Sequence, residues 1–496
     1  MLWDMLGRGE ADAPAVVVPG GPRLTYQELR DEVRRGADAL AGLGLERGQA
    51  IGMVLENGPE AIVLFLAVAA VGAAAPLNPA YTEAELRFYL EDVDARALIV
   101  PPGGAAAARA ARPAGTVLVE AAIGPDGRLR VEAPGGGTTA AEPAEPGADD
   151  VALMLHTSGT TGRPKRVPLR HRNLEASITN IAATYQLGPG DVSLCAMPLF
   201  HVHGLLASAL STLATGGTLV VPSPFNPLGF WAVVREHRPT WYSAVPTIHR
   251  MVLARAREQR PEGAGSLRFI RSCSSALPPE LMAEIERRLD APVLEAYGMT
   301  EACHQIASNP LPPAPRQPGS VGVGTGVEVA VLDGSGASLP AGTPGQVAIK
   351  GPNVIDGYAA NPKANAESFI DGWFLTGDQG VLDERGYLIL IGRIKELINR
   401  GGEKISPREI DEVLLRHPAV AEAVAFGATH PTLGEEVAAA VVLRGHASEQ
   451  ELLAHCREHL AAFKVPRRLH IVEAIPLTAT GKVQRRRVAE VIGTGG

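Results

Sequence analysis

Residues 61–77 run for seventeen positions without a single charge, and Glu60 abuts them. A stretch with no polar face must be enclosed, either by lipid or by the protein itself. Seventeen residues lie at the lower limit for crossing a bilayer. The run is rich in alanine and carries Gly72 and Pro76, which predicts a buried helix running into a buried strand at 73–77. Upstream, Tyr26, Leu29, Val33 and Leu40 recur near helical spacing after a short strand. Helical and short apolar segments alternate to about residue 100, the pattern of a layered α/β domain.

Residues 102–150 turn rich in alanine, glycine and proline, which predicts a loosely packed excursion or a flexible approach to the next strand. From 320 to 360 the pattern changes to strands, at 327–333 and 345–350, punctuated by turn signals such as Asp356-Gly357. A distinct block begins after Gly392. Ser406-Pro407-Arg408-Glu409 predicts a capping box with proline at the first helical position. Strands at 420–426 and 436–443, a helix at 448–463 and a strand at 469–472 follow. The fold class expected is α/β: a large layered N-terminal domain (1–393) with a β-rich subdomain, and a small α+β C-terminal domain (394–496). A chain of 496 residues exceeds one ordinary core, so two or three domains are expected.

Net charge −8 and the lack of a long basic run argue against a nucleic-acid coat. The four cysteines (Cys195, Cys273, Cys303, Cys456) form no CxxC pair, so neither a disulfide framework nor a zinc site is indicated. A reducing, cytoplasmic compartment is expected. The N-terminal residues lack a signal pattern, and Gly-Thr-Gly-Gly at the C-terminus carries no sorting tail. A monomer or homodimer is expected.

Chemistry first appears after the apolar run 151–155. Thr157, Ser158, Thr160 and Thr161 offer hydroxyls, Gly159 and Gly162 allow close backbone approach, and Lys165 adds a cation. Such a turn is a nest for anionic oxygens and suits a nucleoside triphosphate. Its glycines are three apart and Lys165 is followed by Arg166, so the loop is not of the Walker type.

Thr157 to Lys165 resembles the phosphate loop of the acyl-adenylate-forming superfamily, and five more segments match that family in order. They are Met197-Pro-Leu-Phe-His201, Tyr297-Gly-Met-Thr-Glu301, Gly372-Trp-Phe-Leu-Thr-Gly-Asp378, Gly392-Arg-Ile-Lys-Glu-Leu-Ile398 and Thr480-Gly-Lys482. The resemblance implies an acyl-CoA synthetase that uses ATP, Mg²⁺ and CoA. It implies ATP contacts from the loop, from Ser274, Ser275 and Ala276, and from Tyr297, Asp378 and Arg393. Thr300 would bond the α-phosphate and Glu301 would hold the metal. His201 would line the acid pocket, and Lys482 would stabilise charge in the transition state. Lys395 would be the hinge of a mobile C-terminal domain, with Gly401, Gly402 and Lys464 (beside Arg467 and Arg468) along the CoA channel.

Within the superfamily the chain is most similar to oxalate–CoA ligases, on 198–206, 241–249, 268–277, 294–304 and 393–407. His201, His203, Ser274 and His304 fall in pocket-associated segments, and an alkyl tail would leave such polar walls unpaired. A short polar diacid such as oxalate fits better. Three alternatives stay open at this stage: a larger acid, a separate carrier protein as thiol acceptor, and a non-catalytic paralogue that acts as a binding partner. One departure stands out. The family usually follows the loop lysine with glycine, where this chain has Arg166, which could disturb the loop, engage an anion or face outward.

Overall fold

The computed structural model describes residues 2–133, 143–157, 164–222, 225–256, 260–477 and 483–492. The uncharged run becomes the helix Pro59–Val71 followed by the strand Ala73–Pro76. Every residue of that helix but Glu60 is buried. Proline at its first position and Gly72 at its end set its limits. A Cβ at Gly72 would lie 2.6 Å from the Gln49 carbonyl oxygen, so glycine alone lets the chain turn directly into the strand. Among the described residues no helix is long and apolar enough to cross a membrane.

This helix packs into the principal core between two large sheets. One has seven strands with a parallel centre: Val117–Ile123, Ala95–Val100, Ala50–Met53, Ala73–Pro76 and Val151–Thr157 lie side by side. Leu64 and Phe65 are fully enclosed there, and truncating either to alanine costs roughly 2–5 kcal/mol. The other sheet has nine strands, with Val192–Cys195, Trp241–Ala244, Phe269–Ser272 and Val293–Met299 parallel at its centre. A separate antiparallel sheet carries Glu328–Leu332, Gly345–Lys350, Trp373–Leu382 and Leu388–Arg393. The C-terminal part folds on its own five-stranded sheet around Val420–His430 and Gly434–Leu443, with helices Pro407–Arg416, Glu449–His459 and Arg485–Ile492.

Two expectations need correction. Residues 106–132 are not a loose excursion: they form the helix Ala106–Ala111 and the hairpin Val117–Ile123 and Leu129–Glu132 at the edge of the seven-stranded sheet. The small residues misled because Ala108, Ala111 and Ala121 are packed into cores, where little volume is needed. The capping box at Ser406 does not form either. Ser406 is the N-cap residue and Pro407 the first helical one, but the Ser406 hydroxyl donates to the Ile391 carbonyl at 2.7 Å. Glu409 is drawn off by Lys464, whose ammonium lies 2.7 Å from both carboxylate oxygens. Tertiary partners outcompete the local ones here.

Candidate active site

Parallel strands present ligands at their carboxyl ends, and Thr157, Ser274, Thr300 and Glu301 stand at or just past the ends of such strands. Val151–Thr157 and Lys165–Arg170 pair antiparallel, with Thr157 opposite Lys165. Ser158, Gly159, Thr160, Thr161 and Gly162 themselves lie outside the described residues, as does Lys482.

The strand Val293–Met299 ends in the tight turn Thr300–Ala302, which buries Thr300 and Glu301. One Glu301 carboxylate oxygen accepts from the Tyr358 hydroxyl at 2.8 Å and the Thr157 hydroxyl at 3.4 Å. The Lys165 ammonium sits 4.3 Å above the Tyr358 ring. Desolvation holds the Lys165 ammonium below its usual range, and nearby Lys395 lowers it further while Glu301 opposes the shift. Burial, reinforced by the Glu301 charge, pushes the Tyr358 phenol up. Tyr358 was not foreseen. Its only sequence signal was the Asp356-Gly357 turn before it, which marks a bend and not a side chain.

Arg166 faces away from this centre. Its guanidinium lies 3.3 Å from the Asp92 carboxylate and donates to the Asp92 carbonyl at 2.6 Å. The same carboxylate takes His156 at 3.0 Å.

A second group is set by hairpin register. Asp378 and Arg393 are cross-strand partners, with the Arg393 Nε 2.9 Å from the Asp378 carboxylate. The Tyr297 hydroxyl donates to the other oxygen of Asp378, and the Asp378 amide donates to the Thr376 hydroxyl at 3.1 Å. Burial, then the Asp378 charge, pushes the Tyr297 phenol well above its ordinary range, so it remains a donor. A buried carboxylate beside a flat ring and a guanidinium can accept ribose hydroxyls next to an adenine.

The third group is a buried polar wall. Val202 leads into the π-helix His203–Leu210, a wound-out turn of the kind found at functional sites. Gly204 makes it possible: a Cβ there would lie 2.2 Å from the Pro198 carbonyl oxygen. His203 Nδ1 lies 3.0 Å from the Ser274 hydroxyl, and its Nε2 lies 2.6 Å from the Ser243 hydroxyl. The His203 and His304 rings are tilted together with centroids 4.8 Å apart. Ser274 and His304 both take positive φ, +73° and +93°, strain of a kind that clusters at ligand sites. Gly298 lets the His304 backbone close on its strand, since a Cβ there would lie 1.7 Å from the His304 carbonyl oxygen.

Behind this wall is Arg271, fully buried. Its Nε donates to the Tyr185 hydroxyl at 2.8 Å, Nη1 to the Ser243 hydroxyl at 2.9 Å, and Nη2 to Gln305 Oε1 at 3.0 Å. Nη1 and Nη2 also reach His203 Nε2 at 3.4 Å and His304 Nδ1 at 3.2 Å. Arg271 lies in the segment 268–277 that carries the resemblance to oxalate–CoA ligases, but nothing in its spacing assigns the side chain a role.

The remaining candidates are spread out. His201 is half-buried at the pocket side, with its Nδ1 accepting from the His203 amide at 3.3 Å. Ser275 and Ala276 continue the loop after Ser274, Ser275 half-buried and Ala276 exposed. Gly401 and Gly402, at φ +59° and +98°, turn between Ile398–Arg400 and Glu403–Ile405 and are exposed. Lys395 is exposed in the turn Ile394–Glu396. Lys464, in contact with Glu409, is held within the C-terminal part.

A family model described as AMP-binding enzyme matches residues 5–359, and its C-terminal domain model matches 409–482. The chain belongs to the AMP-binding enzyme family. This AMP-binding enzyme is 46% identical to an oxalate–CoA ligase of Arabidopsis thaliana, over 99% of this chain and 97% of that one. It is 39% identical to a sulfoacetate–CoA ligase of Cupriavidus necator, over 96% and 94% of the two chains. The fold superposes on ATP-bound MatB from Rhodopseudomonas palustris with a TM-score of 0.90, 33% identity and 99% of each chain covered. The apo form of that protein gives 0.78.

Proposed function

We propose that this AMP-binding enzyme is an AMP-forming acid–CoA ligase for a small dianionic acid, oxalate first among candidates. The observation that carries the reading is the polar wall of buried His203 and His304 with half-buried Ser274, His304 standing three residues along the chain from Glu301. An aliphatic acid would leave those groups unpaired, at about 1–3 kcal/mol each. The relatives' printed substrates, oxalate and sulfoacetate, are both two-carbon acids with two anionic ends, which supports the same class.

In the first half-reaction the acid's carboxylate attacks the α-phosphorus of ATP. The bond to the β-phosphate breaks, and acyl-AMP and pyrophosphate form. Tyr297, Asp378 and Arg393 hold the nucleoside, the loop at 157–165 with Lys165 holds phosphates, and Thr300 donates to the α-phosphate. Lys482 approaches as charge builds, the electrostatic help that dominates such reactions. Mg²⁺ suits Glu301: a single carboxylate ringed by hydroxyl donors is what an ion largely held by substrate phosphates needs. Bound there, it would offset phosphate charge.

In the second half-reaction the domain 394–496 turns about Lys395, withdrawing Lys482 and presenting Gly401 and Gly402 beside the thiol. The CoA sulfur gives up its proton and attacks the acyl carbon, and AMP leaves. The closer match to the ATP-bound than to the apo form of MatB supports reading the arrangement described above as the ATP-handling one. The test is a panel of short acids with Mg-ATP and CoA, scored for AMP and thioester. Pyrophosphate exchange without CoA thioester would move the acceptor to a carrier-protein thiol, and no AMP with any acid would sink the ligase reading.

A further inference from the structure

Arg271 is a permanent cation, and burying one without a counter-charge is expensive. Among the described residues it pairs with no carboxylate, and its five N–H groups meet five neutral acceptors. It therefore has no donor left for a substrate, yet its positive charge stays uncompensated. Guanidinium can only donate, and this fixes the direction of the hydrogen bonds around it.

Two paths lead forward from it. Ser243 accepts from Arg271, so its own hydroxyl proton goes to His203 Nε2 at 2.6 Å. His203 then carries its proton on Nδ1 and donates it to the Ser274 oxygen at 3.0 Å. That leaves the Ser274 proton to be donated onward. On the other path His304 Nδ1 accepts from Arg271 at 3.2 Å, so the His304 proton is on Nε2. Both ends of the network are donors, backed by one unneutralised charge, and both belong to the segments that the family resemblance assigns to the acid pocket.

We propose that Arg271 is the positioning residue that makes this pocket select an acid with a second negative charge, acting through Ser243–His203–Ser274 and through His304 and not by touching the acid. This rests on the small-dianion reading above. It goes further by naming what sets the charge class and predicting how that choice fails.

The experiment compares oxalate with oxamate, which has nearly the same shape but one charge, in acid-dependent pyrophosphate exchange. The variants are Arg271→Met and Ser243→Ala, each first checked for an intact thermal transition. In the wild type, oxalate is preferred. Arg271→Met raises the KM for oxalate roughly tenfold to a hundredfold, the range of hydrogen bonds made to charged groups. It leaves the KM for oxamate within about threefold, so the preference collapses. Ser243→Ala keeps the charge but breaks one path, and raises the oxalate KM by about tenfold. An equal loss for both acids in Arg271→Met marks a purely structural arginine and overturns the proposal. Should that variant fail to fold, a folded Ser243→Ala with wild-type oxalate KM overturns it instead. A wild type that ignores oxalate but turns over only singly charged acids refutes the substrate reading, and the arginine's role with it. Wild-type turnover of oxalate with an unmoved Arg271→Met refutes the arginine alone.

Discussion

At the scale of residues, two buried carboxylates behave in opposite ways. Asp378 is surrounded by Tyr297 and Arg393, so replacing it with alanine strands a buried phenol and an arginine. Asp378→Ala is expected to raise the KM for ATP roughly tenfold to a hundredfold with a smaller effect on the acid KM, read by steady-state kinetics. Glu295 takes one hydrogen bond, from the Leu277 amide at 3.0 Å, and burial pushes its carboxyl up to about 7. A carboxyl whose folded value exceeds its unfolded one binds its proton more tightly in the native state. Its contribution is full below pH 4.5 and is lost as pH rises through about 7. Glu295→Gln should therefore flatten the fall in stability between those values and gain on the order of 3 kcal/mol at pH 8, seen by urea unfolding across pH. An unchanged pH slope would show that Glu295 is solvated.

At the scale of elements, glycines decide where the histidines go. Gly204→Ala would drive a methyl into the Pro198 carbonyl and tighten the π-helix that starts at His203. A loss of about 1–3 kcal/mol in stability is expected, with oxalate KM rising more than ATP KM. Equal changes in the two KM values would disconnect the π-helix from acid binding. This is also where the sequence is least legible. The helix at 59–71 follows from an unbroken uncharged run, and the strand at 345–350 and the C-terminal elements follow from apolar runs bounded by turn and cap residues. The failed capping box at Ser406 and the packed segment at 106–132 depend on partners far along the chain, which spacing does not report. The motif residues Thr300, Glu301, Tyr297, Asp378 and Arg393 were readable, and the structure brings them into two groups, buried except for the partly exposed Arg393. Tyr358 and Arg271 reach Glu301 and the His203–Ser243 pair only through tertiary packing, which spacing does not report. Arg166, the irregular residue, is absorbed by Asp92.

At the scale of the whole molecule, the chain must do two reactions with one set of walls. Among the polar contacts of the C-terminal part with the rest are Arg250 to the Ala421 carbonyl at 3.1 Å, Arg416 to Glu280 at 3.8 Å, Ser406 to the Ile391 carbonyl at 2.7 Å and Arg408 to the Leu390 carbonyl at 2.8 Å. Lys395→Pro fixes one backbone angle at the turn Ile394–Glu396. Adenylation should persist while thioester formation from preformed acyl-AMP falls at least tenfold; equal rates would place the hinge elsewhere. Lys482→Ala should do the reverse and remove acid-dependent exchange. The most direct measurement of the central claim is AMP release by the purified enzyme with Mg-ATP, CoA and a panel running from oxalate to medium-chain fatty acids. The structure predicts turnover concentrated on short dianions with oxalyl-CoA among the products. AMP release confined to fatty or singly charged acids would contradict it.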